Sequence, residues 1–212
     1  MPSQKLSWTE NKGENMEKIL AASNNPNKIR EIKAILGDMY QVLSLKEAGV
    51  ESDPEETGKT FAENALIKAR AGMKASGMPC IADDSGLCVE ALHGAPGVYS
   101  ARYSGEGATD EKNNALLMKN LEGVTDRRAK FVSAIAMVFP DGRTVTAEGE
   151  CPGTVIDEHR GNNGFGYDPY FLVEEYGKTF AELSGDIKNR ISHRARALEK
   201  FRKFITEMKG KE

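Results

Sequence analysis

Between Pro79 and Leu87 the chain passes without a break from a short apolar run, Cys80-Ile81-Ala82, into Asp83-Asp84-Ser85-Gly86. The apolar half reads as a buried strand. Side chains alternate faces along a strand, so Asp83 and Asp84 cannot point the same way while it persists. One carboxylate then faces a cleft and the other a neighbouring element or a helix end. Adjacent acids at the carboxyl end of a buried strand suit a hard divalent cation such as Mg²⁺. The same residues also favour turns, and the stretch by itself is consistent with either.

Strands and helices alternate around it. Lys18–Ala22 reads as a first buried strand, and Ser23-Asn24-Asn25-Pro26-Asn27 as a turn cluster. A helix opening at Lys28 places Ile29, Ile32, Ile35 and Leu36 on one face. Val42–Leu45 is a second strand, followed by an irregular acidic loop over residues 47–56. The spacing predicts a helix from Phe61 to about Lys74, with Asn64 and Lys68 sharing a face away from its apolar stripe. Cys88–Leu92 is a further extended segment, and Thr109 caps a helix to about Leu121. Strands Arg128–Phe139 and Arg143–Ala147 form a hairpin through Pro140-Asp141-Gly142. One helix over Asn189–Met208 closes the chain. The hairpin makes the sheet mixed, so the class is α/β. Residues 1–15 are polar and aperiodic and are expected to be a disordered extension, leaving 16–212 as one domain.

Gly58-Lys59-Thr60 ends like a nucleotide-binding P-loop, and the same letters recur from Gly177. The motif needs an earlier glycine where Asp53 and Leu172 stand. Thr60 with Glu63, and Thr179 with Glu182, instead have capping-box spacing and predict two helix starts. The net charge of −3, with both signs interspersed, offers no footprint for polymeric DNA or RNA. Cys80, Cys88 and Cys151 lack metal-type spacing and read as buried thiols of a reducing cytoplasm. No apolar run reaches membrane-spanning length.

Two other stretches carry chemistry. The turn from Ser23 to Lys28 sits where a helix start presents free N–H groups to an anion, although it lacks the glycines of a phosphate cradle. Gly161-Asn162-Asn163-Gly164-Phe165-Gly166-Tyr167-Asp168-Pro169 sets two aromatics and an acid in a glycine-rich loop. Such a ring can stack on a base or fill the core.

Taken in order, Ser23-Asn24-Asn25…Lys28, Glu56-Thr57-Gly58…Glu63-Asn64-Ala65…Lys68, Ala82–Leu87, Gly94-Ala95-Pro96-Gly97…Tyr99–Gly105, Phe165–Pro169 and Ile191-Ser192-His193-Arg194 resemble the inosine triphosphate pyrophosphatase family, the dITP/XTP pyrophosphatases. The resemblance implies an elongated mixed sheet flanked by helices, with a nucleotide cleft between two lobes, and a homodimer. It implies Mg²⁺-dependent hydrolysis of the deaminated purine nucleotides ITP, dITP and XTP to monophosphate and pyrophosphate, clearing them before incorporation into DNA or RNA. Ser23, Asn24, Asn25, Asn27 and Lys28 would then hold phosphates. Glu56 and Asp84 would ligate the metal with Asp83 in support, Asp84 would also accept the proton of water, and Lys68 would contact phosphates. Ser85 would touch substrate; Phe165, Gly166, Tyr167, Asp168, Lys188, His193 and Arg194 would form the base and sugar pocket. This chain departs from the family pattern at Asn24 and Asn163, where glycine is expected.

Overall fold

The computed structural model describes residues 16–210, and the expected extension over residues 1–15 lies outside them. In chain order the elements are β1 (Lys18–Ala21), α1 (Pro26–Leu36), β2 (Gln41–Ser44), α2 (Leu45–Ala48), α3 (Phe61–Ser76) and β3 (Cys80–Val89). They continue with α4 (Asp110–Asn120), β4 (Arg128–Val138), β5 (Thr144–Val155), β6 (Phe171–Val173), β7 (Lys178–Thr179), α5 (Gly185–Ile191) and α6 (His193–Lys209). The strands form one seven-stranded sheet in the order β2-β1-β3-β4-β5-β6-β7. β1 runs parallel to β2 and β3, and the other pairings are antiparallel.

The long strands β3, β4 and β5 tie two regions together. At one end Ile81, Ile135 and Met137 pack under α1 and α6, while Leu20, Ala82, Ala134 and Ala136 pack under α3 on the opposite face. At the other end Leu87, Phe131, Cys151, Phe171 and Phe180 form a separate cluster. β1 meets β3 only at Leu20–Cys80 and Ala21–Ile81 before the chain turns away into α1. Beyond Ile81, β3 is therefore left without β1 at its side. This opens the crevice that forms outside the carboxyl ends of parallel strands.

Several sequence expectations change. Asp83-Asp84-Ser85-Gly86 is neither a turn nor a strand end, because pairing with β4 from Cys80–Val138 to Val89–Ala129 keeps it extended. The extended segment expected from Cys88 is the end of the same strand, with a 3-10 turn over Glu90–Leu92. The strand after the hairpin reaches Val155, far beyond Ala147, because its alternating pattern pairs with all of β4. Leu45 starts a short helix rather than ending a strand, since Ser44 and Glu47 make a capping box. The Thr60–Glu63 box opens α3. The Thr179–Glu182 box also forms, but it opens only a 3-10 turn over Phe180–Glu182. The closing helix is two helices, because Ser192 is extended, ends α5 with its backbone N–H and caps α6 with its side chain. Cys80 and Cys151 are buried thiols, whereas Cys88 is half-buried. Asn24 and Asn163 do not take left-handed backbone angles; among the described non-glycine residues only His93 does.

Candidate active site

The strict alternation of β3 sends its two acids to opposite faces. Asp84 faces α3, where Lys68 Nζ lies 2.8 Å from Asp84 Oδ1 and 2.8 Å from Glu56 Oε1. Asn64, fully buried one turn earlier, donates to Asp84 Oδ2 at 3.3 Å and accepts from the Gly58 N–H at 2.8 Å. It thereby pins the loop carrying Glu56. Arg102, at the end of a 3-10 segment over Gly97–Arg102, reaches Glu56 Oε2 at 3.0 Å. Burial holds the Asp84 carboxyl above the ordinary carboxylate range despite the pull of Lys68 and Lys28. At Glu56 burial is outweighed by Lys68 and Arg102, and its carboxyl lies low. Burial would likewise weaken the Lys68 ammonium, but Asp84 and Glu56 reverse the sign and keep it charged.

Asp83 faces the other way into a charge network with almost no exposure. Lys28 Nζ lies 2.8 Å from its Oδ2, and Arg194 approaches both oxygens at 3.2 Å. Ser133 and Ser85 donate to the same carboxylate at 2.5 and 3.1 Å. Arg194 also pairs with Glu31 through Nη1 and donates to Ser85 Oγ at 3.0 Å. Glu31 in turn meets Lys188 at 3.3 Å, and Lys188 lies 2.6 Å from Asp168 Oδ2. Burial alone would raise Asp83, yet Arg194 and Lys28 hold it well below the usual carboxylate range. Asp168 goes the other way, raised by burial that Lys188 only partly offsets.

The Phe165–Asp168 loop is braced by three hydrogen bonds, two of them to α4. The Tyr167 hydroxyl donates to the Ser100 carbonyl at 2.8 Å, the Gly166 N–H to Asp110 at 2.7 Å, and Asn114 to the Gly166 carbonyl at 2.9 Å. Lys188 Nζ sits 4.9 Å from the centre of the Phe165 ring. Beside it the His193 ring stacks on Phe131 with centroids 4.8 Å apart, and its Nδ1 is buried without a hydrogen-bond partner. Burial, then Arg194, pushes the His193 pKa well below its usual value, so the ring is neutral.

Two cavities follow from this layout. One, of about 510 Å³, is lined by Ser23, Asn24, Asn25, Lys28, Glu56, Lys68 and Arg102, among others. The second, of about 110 Å³, is lined by Ser85, Phe165, Gly166, Tyr167, Asp168, Lys188, His193 and Arg194 with Lys28. Asn25, Lys28 and Ala101 border both, so the two are neighbours. Asn27 borders neither of these and lines a third cavity, of about 270 Å³, behind Phe165 and between α1 and α5. In α1 the Asn25 side chain is turned inward as a cap, accepting from the N–H groups of Asn27 and Lys28. Asp84 meets Lys68 between α3 and the sheet.

Glu31, Ser133, Asn64 and Arg102 join the site without having been singled out as site residues from sequence. Glu31 stands three positions after Lys28, the spacing of helix neighbours, which is a readable signal. Ser133 is brought to Asp83 by the register of β4, and no local pattern announces that.

A profile of the Ham1 family, compared with this sequence, matches residues 19–204. The chain belongs to that family. The relatives of this Ham1 chain include the dITP/XTP pyrophosphatase of Clostridium perfringens, 50% identical over 88% of this chain and 96% of the relative. The dITP/XTP pyrophosphatase of Bacillus licheniformis is 49% identical over 91% of this chain and its own full length. Among solved structures, the Ham1 protein of Staphylococcus aureus is 46% identical with a TM-score of 0.81, covering 91% of this chain and 100% of its own. A nucleoside-triphosphatase, or dITP/XTP pyrophosphatase, from Mycobacterium abscessus is 45% identical with a TM-score of 0.70 over 87% of this chain and 98% of its own. The mixed sheet flanked by helices is thus the Ham1 fold.

Proposed function

We propose that this protein is a nucleoside triphosphate pyrophosphohydrolase that converts ITP, dITP and XTP to the monophosphate and pyrophosphate. The observation that carries the reading is the pair of adjoining cavities, one edged by lysines and carboxylates and the other by aromatics and a neutral histidine, with Lys28 between them. A triphosphate fits the first and a purine the second. The family relatives named as dITP/XTP pyrophosphatases support the same substrate class.

Glu56 and Asp84 fit a Mg²⁺ site, since both already converge on one ammonium. No group of three or more His, Cys, Asp or Glu that could hold an ion stands among the described residues. Mg²⁺ tolerates one or two carboxylates and completes its shell with water and phosphate oxygens. When bound it neutralises charge on those oxygens. The protein's own groups do the rest. Asp84, held basic by burial, takes the proton of the attacking water. Lys28 and Lys68 supply fixed positive charge to the phosphates, the electrostatic term that dominates phosphoryl chemistry. Phe165 offers a ring face to the base.

Base choice follows from burial. ITP and XTP present a 6-oxo acceptor where ATP presents an amino donor, and a buried donor facing that amino group is left unpaired at a cost of about 1–3 kcal/mol. Lys188, 4.9 Å from the centre of the Phe165 ring, and His193, which lines the same cavity, are the candidate donors, whereas Arg194, 5.9 Å from that ring, spends Nε and both terminal nitrogens on Asp83, Glu31 and Ser85. We infer a homodimer on the family resemblance, and the unpaired thiols suit a reducing cytoplasm.

The test is a nucleotide panel scored for pyrophosphate, with and without Mg²⁺. ITP, dITP and XTP should turn over well above ATP and GTP. Orthophosphate as first product overturns the cleavage position, and a preference for dTTP or UTP overturns the base class.

A further inference from the structure

We propose that Arg102 is the clamp for the leaving pyrophosphate, a role that rests on the pyrophosphohydrolase reading and adds a residue to it. The two cavities meet along Asn25, Lys28 and Ala101, which marks where the sugar and α-phosphate must pass. Arg102 borders only the larger cavity, on the far side of that junction from the base pocket. A cation there reaches the phosphates beyond the α-phosphate, which depart together when the α–β bond breaks.

Its surroundings fit a group that changes partners. Lys28 and Lys68 are held by buried or half-buried acids, with side chains only 16% and 15% exposed. Arg102 is 42% exposed, with one contact to Glu56 and its guanidinium 5.3 Å from the exposed Tyr99 ring. Glu56 is doubly neutralised, by Lys68 and Arg102. A divalent cation held at Glu56 would repel the guanidinium, whose planar fork matches phosphate oxygens better than an ammonium does. The exposed acids Asp53 and Glu55 line the same cavity and disfavour a polyphosphate unless cations answer them.

The backbone beneath Arg102 is firmly placed. Ser100 Oγ accepts from the Leu87 N–H at 2.9 Å and donates to the Gly97 carbonyl at 2.7 Å. Asn113 donates to the Ala101 carbonyl at 3.2 Å, and Tyr167 of the base loop donates to that of Ser100. The guanidinium can therefore swing while its Cα stays put.

The experiment measures binding of pyrophosphate and of IMP by calorimetry, at saturating Mg²⁺, to wild-type protein, Arg102→Ala and Arg102→Lys. Arg102→Ala should weaken pyrophosphate about tenfold or more and leave IMP unchanged, with Arg102→Lys recovering part of the loss. Equal pyrophosphate affinity in wild type and Arg102→Ala overturns the clamp, as does an equal loss for IMP, which would mean general damage to the cleft. A parallel assay of wild type on dITP separates the two claims. Turnover with unchanged pyrophosphate binding in the variant sinks only the clamp, whereas no turnover by wild type sinks the function from which it was argued.

Discussion

Replacing Arg194 by methionine tests whether the network around Asp83 organises the cleft. The guanidinium is 1% exposed and pairs with Asp83, Glu31 and Ser85. Methionine keeps much of the volume and removes the charge, which leaves two acids buried without their shared cation. Breaking a buried pair from one side costs about 3–5 kcal/mol. Each orphaned acid keeps one cation, Lys28 at 2.8 Å for Asp83 and Lys188 at 3.3 Å for Glu31. The lower end therefore applies, about 3 kcal/mol. For a chain of this size that lowers Tm by about 6–12 °C, at about 2–4 °C per kcal/mol. Thermal and urea unfolding would be measured for Arg194→Met, Asp83→Asn and the double variant. Because the two residues touch, the double variant should be more stable than the sum of the single losses by at least about 1 kcal/mol. A single-variant loss under about 1 kcal/mol, or strict additivity, would refute the argument and return Arg194 to direct contact with the base.

Three further outcomes follow. Asp84→Asn keeps the shape that meets Asn64 and Lys68 but cannot take a proton, so pyrophosphate release should fall about 10²–10⁴-fold with unchanged near-ultraviolet dichroism; a wild-type rate removes Asp84 from proton transfer. In Gly86→Ala the added Cβ meets Ser100 Oγ and the Gly97 carbonyl, so stability should drop by about 1–3 kcal/mol, and a wild-type unfolding curve would contradict the packing. The depressed His193 pKa, caused first by burial and then by Arg194, means that the unfolded chain binds a proton that the folded one refuses. Its contribution is complete above about pH 6.5 and is lost as pH falls below that, by up to about 1.4 kcal/mol per pH unit. His193→Phe should flatten that part of a stability–pH profile, and an unchanged slope would show the ring already titrating normally.

Much of the cleft is readable in the letters because its parts are local. The Thr60–Glu63 box and the alternation that separates Asp83 from Asp84 depend on neighbours within a few residues. Helix and strand periods likewise announce α1, α3 and α4, and the hairpin. What the letters leave open lies where local preference is overruled at a distance. Asp83-Asp84-Ser85-Gly86 favours a turn, yet ten register positions on β4 hold it straight. The apolar stripe running past Ser192 suits one helix, yet the Ser192 hydroxyl and backbone cap two.

The sequence by itself determined the α/β class and both acids' opposite faces, since period and alternation are properties of the backbone. Tertiary structure alone decided which charges meet. Glu31, Ser133 and Arg194 reach Asp83's network from three separate elements, and Arg102 crosses forty-six positions to find Glu56. Charge pairing acts through space, and only the packed sheet sets those distances.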